Sequence, residues 1–167
     1  MFIKNNIILI GMPGSGKSTI GVLLAKETAK DYIDTDVLIQ VLQKKTLQQI
    51  INESSHMNLR HIEENVLLSL KDSNKIIATG GSAAYSEKAM QHLKKNGHVI
   101  FLNVRLDELN NRIHNFNTRG IAMNDDQSFQ DLFNERFPLY QKYADFMIET
   151  SDMSQEQVVL EVLGKLK

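Results

Sequence analysis

A parallel α/β sheet flanked by helices is the fold class this sequence predicts, and two observations carry the prediction. Short apolar, β-rich runs alternate along the chain with helical stretches, the pattern of parallel strands joined by crossover helices. The first of those runs ends on a glycine-rich turn that opens straight into a helix. At 167 residues one core is expected, so residues 1–167 read as a single domain.

Taken in order, strands are expected at Asn6 to Ile10, Lys75 to Thr79, His98 to Val104 and Phe146 to Glu149, with a weaker one at Tyr32 and Ile33. Helix ends carry their own signals. Thr46 with Gln49 and Ser154 with Gln157 have capping-box spacing, Asp107 is placed to cap a helix, and Gly97 to close one that ends at Asn96. After Ser18, the residues Ile20, Leu23 and Leu24 supply an apolar helical face. The stretch 114–127 is polar and aperiodic, contains Asn-Thr-Arg-Gly and Asn-Asp-Asp, and is long for a connection, so a mobile lid is expected there.

Composition narrows the function. Apolar residues make up 42% and charged residues 23%, and the net charge of -1 offers no basic field for nucleic acid. The apolar run at Ile7 to Ile10 is too short for a signal-peptide core or a membrane span. With no cysteine there is neither a disulfide nor a thiolate metal site, in keeping with a reducing cytoplasm. His56, His61, His92, His98 and His114 have no zinc-ligand spacing and read as surface or packing residues. A small-molecule partner, no membrane, and a monomer by default are the expectations.

The segment Gly11-Met12-Pro13-Gly14-Ser15-Gly16-Lys17-Ser18-Thr19 satisfies G-x-x-x-x-G-K-[ST] with the required strand before it and helix after it. Its backbone N–H groups fall at a helix N-terminus, where anions are favoured. Lys17 is a flexible point charge for the β- and γ-phosphates of ATP, the Ser18 hydroxyl is a ligand for Mg2+, and Thr19 supports the same turn. Gly14 and Gly16 keep side chains away from the phosphates, with Ser15 between them.

Asp34-Thr35-Asp36 follows the weak second strand, at the sheet edge where ligands bind. One carboxylate can hold a water of the Mg2+ shell while the other accepts a proton from an acceptor hydroxyl. A plain helix cap, Asp36 before Val37, is the other reading. Arg60 and Glu63 share a helix face and have the spacing of a local ion pair. Arg119 in the lid stretch and Arg136 on a later helix can each bind carboxylate or phosphate bidentately. Thr79-Gly80-Gly81-Ser82 ends the third strand, either as a tight turn or as a place where backbone approaches a ligand.

These segments, together with Leu59-Arg60-His61-Ile62-Glu63 and Glu135-Arg136-Phe137-Pro138-Leu139-Tyr140, resemble the shikimate kinase family over nearly the whole chain. The resemblance implies a three-layer P-loop nucleoside-triphosphate hydrolase-like fold with five parallel strands in the order 2-3-1-4-5. An acceptor-binding subdomain would span about 34–62 and a lid about 114–127. It implies ATP-dependent phosphorylation of shikimate to shikimate 3-phosphate, a step of aromatic amino-acid biosynthesis. Asp36 would take the hydroxyl proton, and Arg60 and Arg136 would pair with the acceptor carboxylate beside Gly80 and Gly81. Asp34 would support Mg2+ through water, Arg119 would descend with the lid, and Arg112 would lie beside the adenine. Two departures bear on the acceptor: Ser82 stands where the family usually has a third glycine, and the lid reads Arg119-Gly120-Ile121-Ala122-Met123. They leave open a same-fold kinase for another small hydroxy acid or sugar acid, or a nucleotide-binding regulatory module without turnover.

Overall fold

The computed structural model describes residues 5–71 and 73–167. Five strands, β1 (Asn6–Ile10), β2 (Asp31–Asp34), β3 (Lys75–Ala78), β4 (Gly97–Asn103) and β5 (Phe146–Glu149), form one parallel sheet in the order β2-β3-β1-β4-β5. Asn-Ile-Ile-Leu-Ile is buried along its whole length because β1 is the centre of that sheet, with Leu9 facing Ala78 on one side and Ile100 on the other. The expected strands are all present: β1 and β5 match end for end, and the other three differ by one residue at one or both ends.

The period of two along β1 assigns its residues to two cores. Ile7 and Leu9 pack with α1 (Lys17–Thr28) and α8 (Gln155–Lys165) through Leu24, Val158 and Val162. Ile8 and Ile10 pack on the opposite face, against α4 (His56–Ser69), α5 (Glu87–Asn96), α6 (Leu106–Arg112) and α7 (Phe129–Tyr143). A third, smaller core joins Ile39 of α2 (Thr35–Gln43), Ile50 of α3 (Leu47–Glu53) and Leu59 and Val66 of α4 to Ala122. A short 3-10 turn, Ala83–Tyr85, follows β3.

Both capping boxes form, at Thr46 and Ser154, each with reciprocal bonds to the glutamine three residues on. Three expected ends differ. Asp34, not Asp36, caps α2, accepting from the backbone N–H groups of Asp36 and Val37, because the helix begins two residues earlier than a cap at Asp36 implies. Asp107 lies inside the first turn of α6, whose cap position is Arg105. Gly97 stands at the end of α5 but is extended and already the first residue of β4, so the helix runs into the strand without a left-handed stop. Such stops do occur at Ala29 and Lys44, residues that give no glycine signal.

Ser154→Ala removes one capping box and is expected to cost about 1 kcal/mol in a denaturant titration.

Candidate active site

The loop between β1 and α1 wraps its own cation. Lys17, 8% exposed, donates from Nζ to the carbonyl oxygens of Gly11 (2.8 Å) and Met12 (2.9 Å). Burial pushes its pKa down to about 8, partly offset by the charge of Asp36. Gly16 occupies the cap position of α1 at φ 91° with no capping side chain, so the first N–H groups of the helix are left to a ligand. Ser18 is exposed and donates to Asp34 Oδ2 at 2.5 Å, while Asp34 Oδ1 holds the start of α2. Tyr32 OH also donates to Asp34 Oδ2, at 3.3 Å.

Gly14, Gly16, Lys17, Ser18, Thr19, Asp36, Gly81, Arg112, Arg119 and Arg136 line one cleft of about 310 Å3 at the C-terminal edge of the sheet. Gly14, Gly16, Thr19 and Arg112 also border a second cleft of about 460 Å3, which adds Ser15 and the β5–α8 connection from Thr150 to Gln155. Arg112 donates to the Gly14 carbonyl and pairs with Glu108. The connection from Thr150 to Gln155 carries no nucleotide motif, and its part in the wall follows only from strand order.

On the β3 side, Gly80 is closely packed between two carboxylates. A Cβ there would collide with Glu63 Oε1 and stand 2.6 Å from Asp36 Oδ1, so a side chain at this position would displace the two carboxylates. Gly80 N–H donates to Thr35 Oγ1 at 3.1 Å. Glu63 is buried at 3% exposure, and burial, reinforced by the charge of Asp36, pushes its pKa up to about 7. The Asp36 pKa is raised as well, by burial first, with Lys17 opposing. Arg136, 1% exposed, donates from Nη2 to the Ala122 carbonyl at 2.6 Å and from Nε to Tyr85 OH at 3.4 Å.

Four expected site residues lie off the lining of the main cleft: Ser15, which borders the second cleft, Gly80, which is packed against Glu63 and Asp36, and Asp34 and Arg60. Asp34 stands behind Ser18, and Arg60 lines a separate cavity of about 360 Å3 with Met57, His61 and Tyr85. The local Arg60–Glu63 pair is replaced by other partners: Ser82 Oγ donates to Glu63 Oε2, and Arg60 lies 3.6 Å from the Tyr85 ring centroid with Glu135 as its ion-pair partner at 3.9 Å. Tyr85 carries no motif and nothing in the sequence gives Glu135 a role of its own, and only the tertiary packing of the 3-10 turn against α4 and α7 brings them in. In the 114–127 stretch, Gly120 is buried at φ 73°, its N–H donates to Gln48 Oε1 at 3.2 Å, and Ile121 and Ala122 are buried.

Among the described residues no cluster of three or more His, Asp or Glu side chains is placed to hold a metal ion. Ser18 and Asp34 offer two hard oxygens beside the phosphate loop, which fits Mg2+ with phosphate oxygens and waters filling the rest of its shell. A phosphate loop, a buried carboxylate beside it and cations on both sides define a P-loop small-molecule phosphotransferase.

The comparisons with known proteins then specify the family. The shikimate kinase family model matches residues 13–167, and the chain belongs to that family. It is 33% identical to a shikimate kinase of Rhizobium meliloti (strain 1021) over 96% of this chain and 85% of that protein. With a shikimate kinase of Clostridium botulinum (strain ATCC 19397 / Type A) identity is 37%, over 87% of this chain and 88% of the other. A solved shikimate kinase from Acinetobacter baumannii in complex with shikimate superposes with a TM-score of 0.90 at 27% identity, covering 97% of this chain and 92% of that one.

The pKa shift of Glu63 gives a pH test. A glutamate in an unfolded chain titrates near 4.3. Between about 4.3 and about 7 the folded chain therefore keeps a proton that the unfolded chain has lost, and stability falls as pH rises through that window. Glu63→Gln removes this penalty. Its stability relative to the parent chain is expected to rise by roughly 2 kcal/mol between pH 5 and pH 8 in denaturant titrations, and a difference independent of pH would contradict the shift.

Proposed function

We propose that this chain transfers the γ-phosphoryl group of Mg-ATP to shikimate, giving shikimate 3-phosphate and ADP. The observation that carries the reading is the position of Asp36, a half-buried carboxylate with raised basicity in the same cleft as Lys17 and Arg136. Family membership supplies the acceptor.

In this reading the loop N–H groups and Lys17 take the phosphates, with Lys17 exchanging its two carbonyl partners for phosphate oxygens. Ser18 and, through water, Asp34 would hold Mg2+, whose charge would offset that of the transferring group. Asp36 accepts the proton of the attacking hydroxyl, and a base made stronger by burial suits that task. Arg136, with Arg60 brought in from the adjoining cavity, pairs with the acceptor carboxylate beside Gly80 and Gly81. Arg119 stabilises charge on the phosphoryl group, and Arg112 with the β5–α8 connection borders the nucleotide base.

Residues 114–127 act as the lid and about 34–62 as the acceptor-binding part of a single domain, working as a cytoplasmic monomer. The Ser82–Glu63 contact in the acceptor wall favours one other reading, a kinase for a related hydroxy acid or sugar acid. A panel of such acceptors run beside shikimate separates the two.

A coupled ADP-release assay with shikimate is the direct test. Lys17→Ala is expected to lower kcat at least 100-fold. Asp36→Asn is expected to keep ATP affinity and lose turnover by roughly 100-fold or more. Near-parental turnover by either variant would remove its assigned role.

Gly120→Ala tests the lid. A Cβ there collides with Leu47 and stands 2.9 Å from the Gln48 backbone nitrogen, on a left-handed backbone. The variant is expected to raise the amide exchange of 114–127 with nucleotide and shikimate present, and to raise the KM for shikimate. Exchange as slow as in the parent chain would show that this contact does not hold the segment down.

A further inference from the structure

Arg60 and Glu63 stand three apart on α4, a spacing that ordinarily joins a guanidinium to a carboxylate. The turn after β3 keeps them apart at both of its ends. Its leading residue, Ser82, itself 8% exposed, donates a short hydrogen bond to Glu63 Oε2. Its last residue, Tyr85, lies flat beneath the Arg60 guanidinium. Ser82 and Glu63 border both the main cleft and the Arg60 cavity, so their bond is part of the partition between the two.

Separation leaves matched groups unmatched. Glu63 Oε1 and Arg60 Nε are both buried without a hydrogen-bond partner, although a direct meeting would satisfy each of them. An unsatisfied buried acceptor is costly and persists where something external completes it. Glu63 Oε1 faces Gly80 beside Asp36 Oδ1, next to the place where the reacting hydroxyl must lie if Asp36 takes its proton.

We propose that Ser82 is a positioning residue that sets acceptor selectivity: it holds Glu63 away from Arg60 and keeps Glu63 Oε1 as a fixed hydrogen-bond acceptor in the cleft wall. The site then favours polyhydroxylated acceptors, with a second hydroxyl beside the reacting one. This rests on the phosphotransfer reading above.

Ser82→Ala removes the hydroxyl and keeps the Cβ. The assay compares shikimate with an analogue that lacks the hydroxyl next to the reacting one. The parent chain is expected to prefer shikimate at least about tenfold in kcat/KM, since a site built to bond a hydroxyl rejects the analogue without it. In Ser82→Ala that preference is expected to fall to about threefold or less, through a higher KM for shikimate, with the KM for ATP unmoved. An unchanged preference, or an equal rise in both KM values, overturns the proposal. A crystal structure of Ser82→Ala reads the contact without turnover: Glu63 is expected against the Arg60 guanidinium, and Glu63 in its original place overturns the proposal. If the parent chain phosphorylates neither acceptor, it is the kinase reading that fails, and the crystal structure still decides whether Ser82 holds Glu63.

Discussion

Two carboxylates face each other across Gly80, with Lys17 and Arg136 buried in the same cleft, and the fold has to keep this group of charges out of water. No single ion among them is tolerable alone, because an unpaired buried charge costs several kcal/mol. Burial raises the pKa of Asp36 and Glu63 while Lys17 and Arg136 lower both, so the cations offset the carboxylates even though the two carboxylates, like the two cations, oppose each other. The group draws on α1, α2, α4, α7 and the end of β3, so it exists only when all five are docked. Catalytic readiness and global folding are therefore linked here by electrostatics as well as by packing.

Strand order makes that convergence happen. Since β1 pairs with β3 on one side and β4 on the other, its C-terminal end is where connections leave in both directions, the place where open α/β sheets bind ligands. The register Leu9 to Ala78 sets the phosphate loop beside the Gly80 turn, and Thr79 ties the two through bonds to the Leu9 carbonyl. The cleft wall built from Asp36, Glu63 and Arg136 lies on the β3 side. Arg112, α6 and the β5–α8 connection lie on the β4 side. One loop thus separates two clefts of different chemistry, which is the geometry a two-substrate transfer needs.

Local chemistry was legible in the sequence and tertiary partnership was not. The phosphate loop was legible because its function depends on consecutive backbone and side-chain groups, and the capping boxes because both partners sit three residues apart. Asp34 and Asp36 were legible as a pair, but which of them caps α2 turns on a two-residue difference in helix start. Glu63 read as half of a local ion pair, since i,i+3 spacing is the same on a buried and an exposed face. Tyr85 escaped notice because an aromatic ring becomes an arginine platform only when a distant helix is laid over it. Polarity marked 114–127 as a lid, yet Ile121 and Ala122 are buried, a consequence of contacts with cores formed elsewhere in the chain.

Arg136 connects that segment to the acceptor side. Its Nη2 is bonded to the Ala122 carbonyl, and its Nη1 is the atom that a Cβ on Gly81 would meet at 2.7 Å. Lifting 114–127 takes Ala122 from the third core and removes a carbonyl from a buried guanidinium, and the desolvated cation then needs another oxygen. In the proposed reading the acceptor carboxylate would bind the same guanidinium that the Ala122 carbonyl holds, and by linkage any bias between the segment and the acceptor would have the same size in both directions. The same guanidinium that would hold the acceptor also senses whether the segment above it is in place, so an acceptor bound under a lifted segment and one bound under a closed segment meet Arg136 with different numbers of free donors.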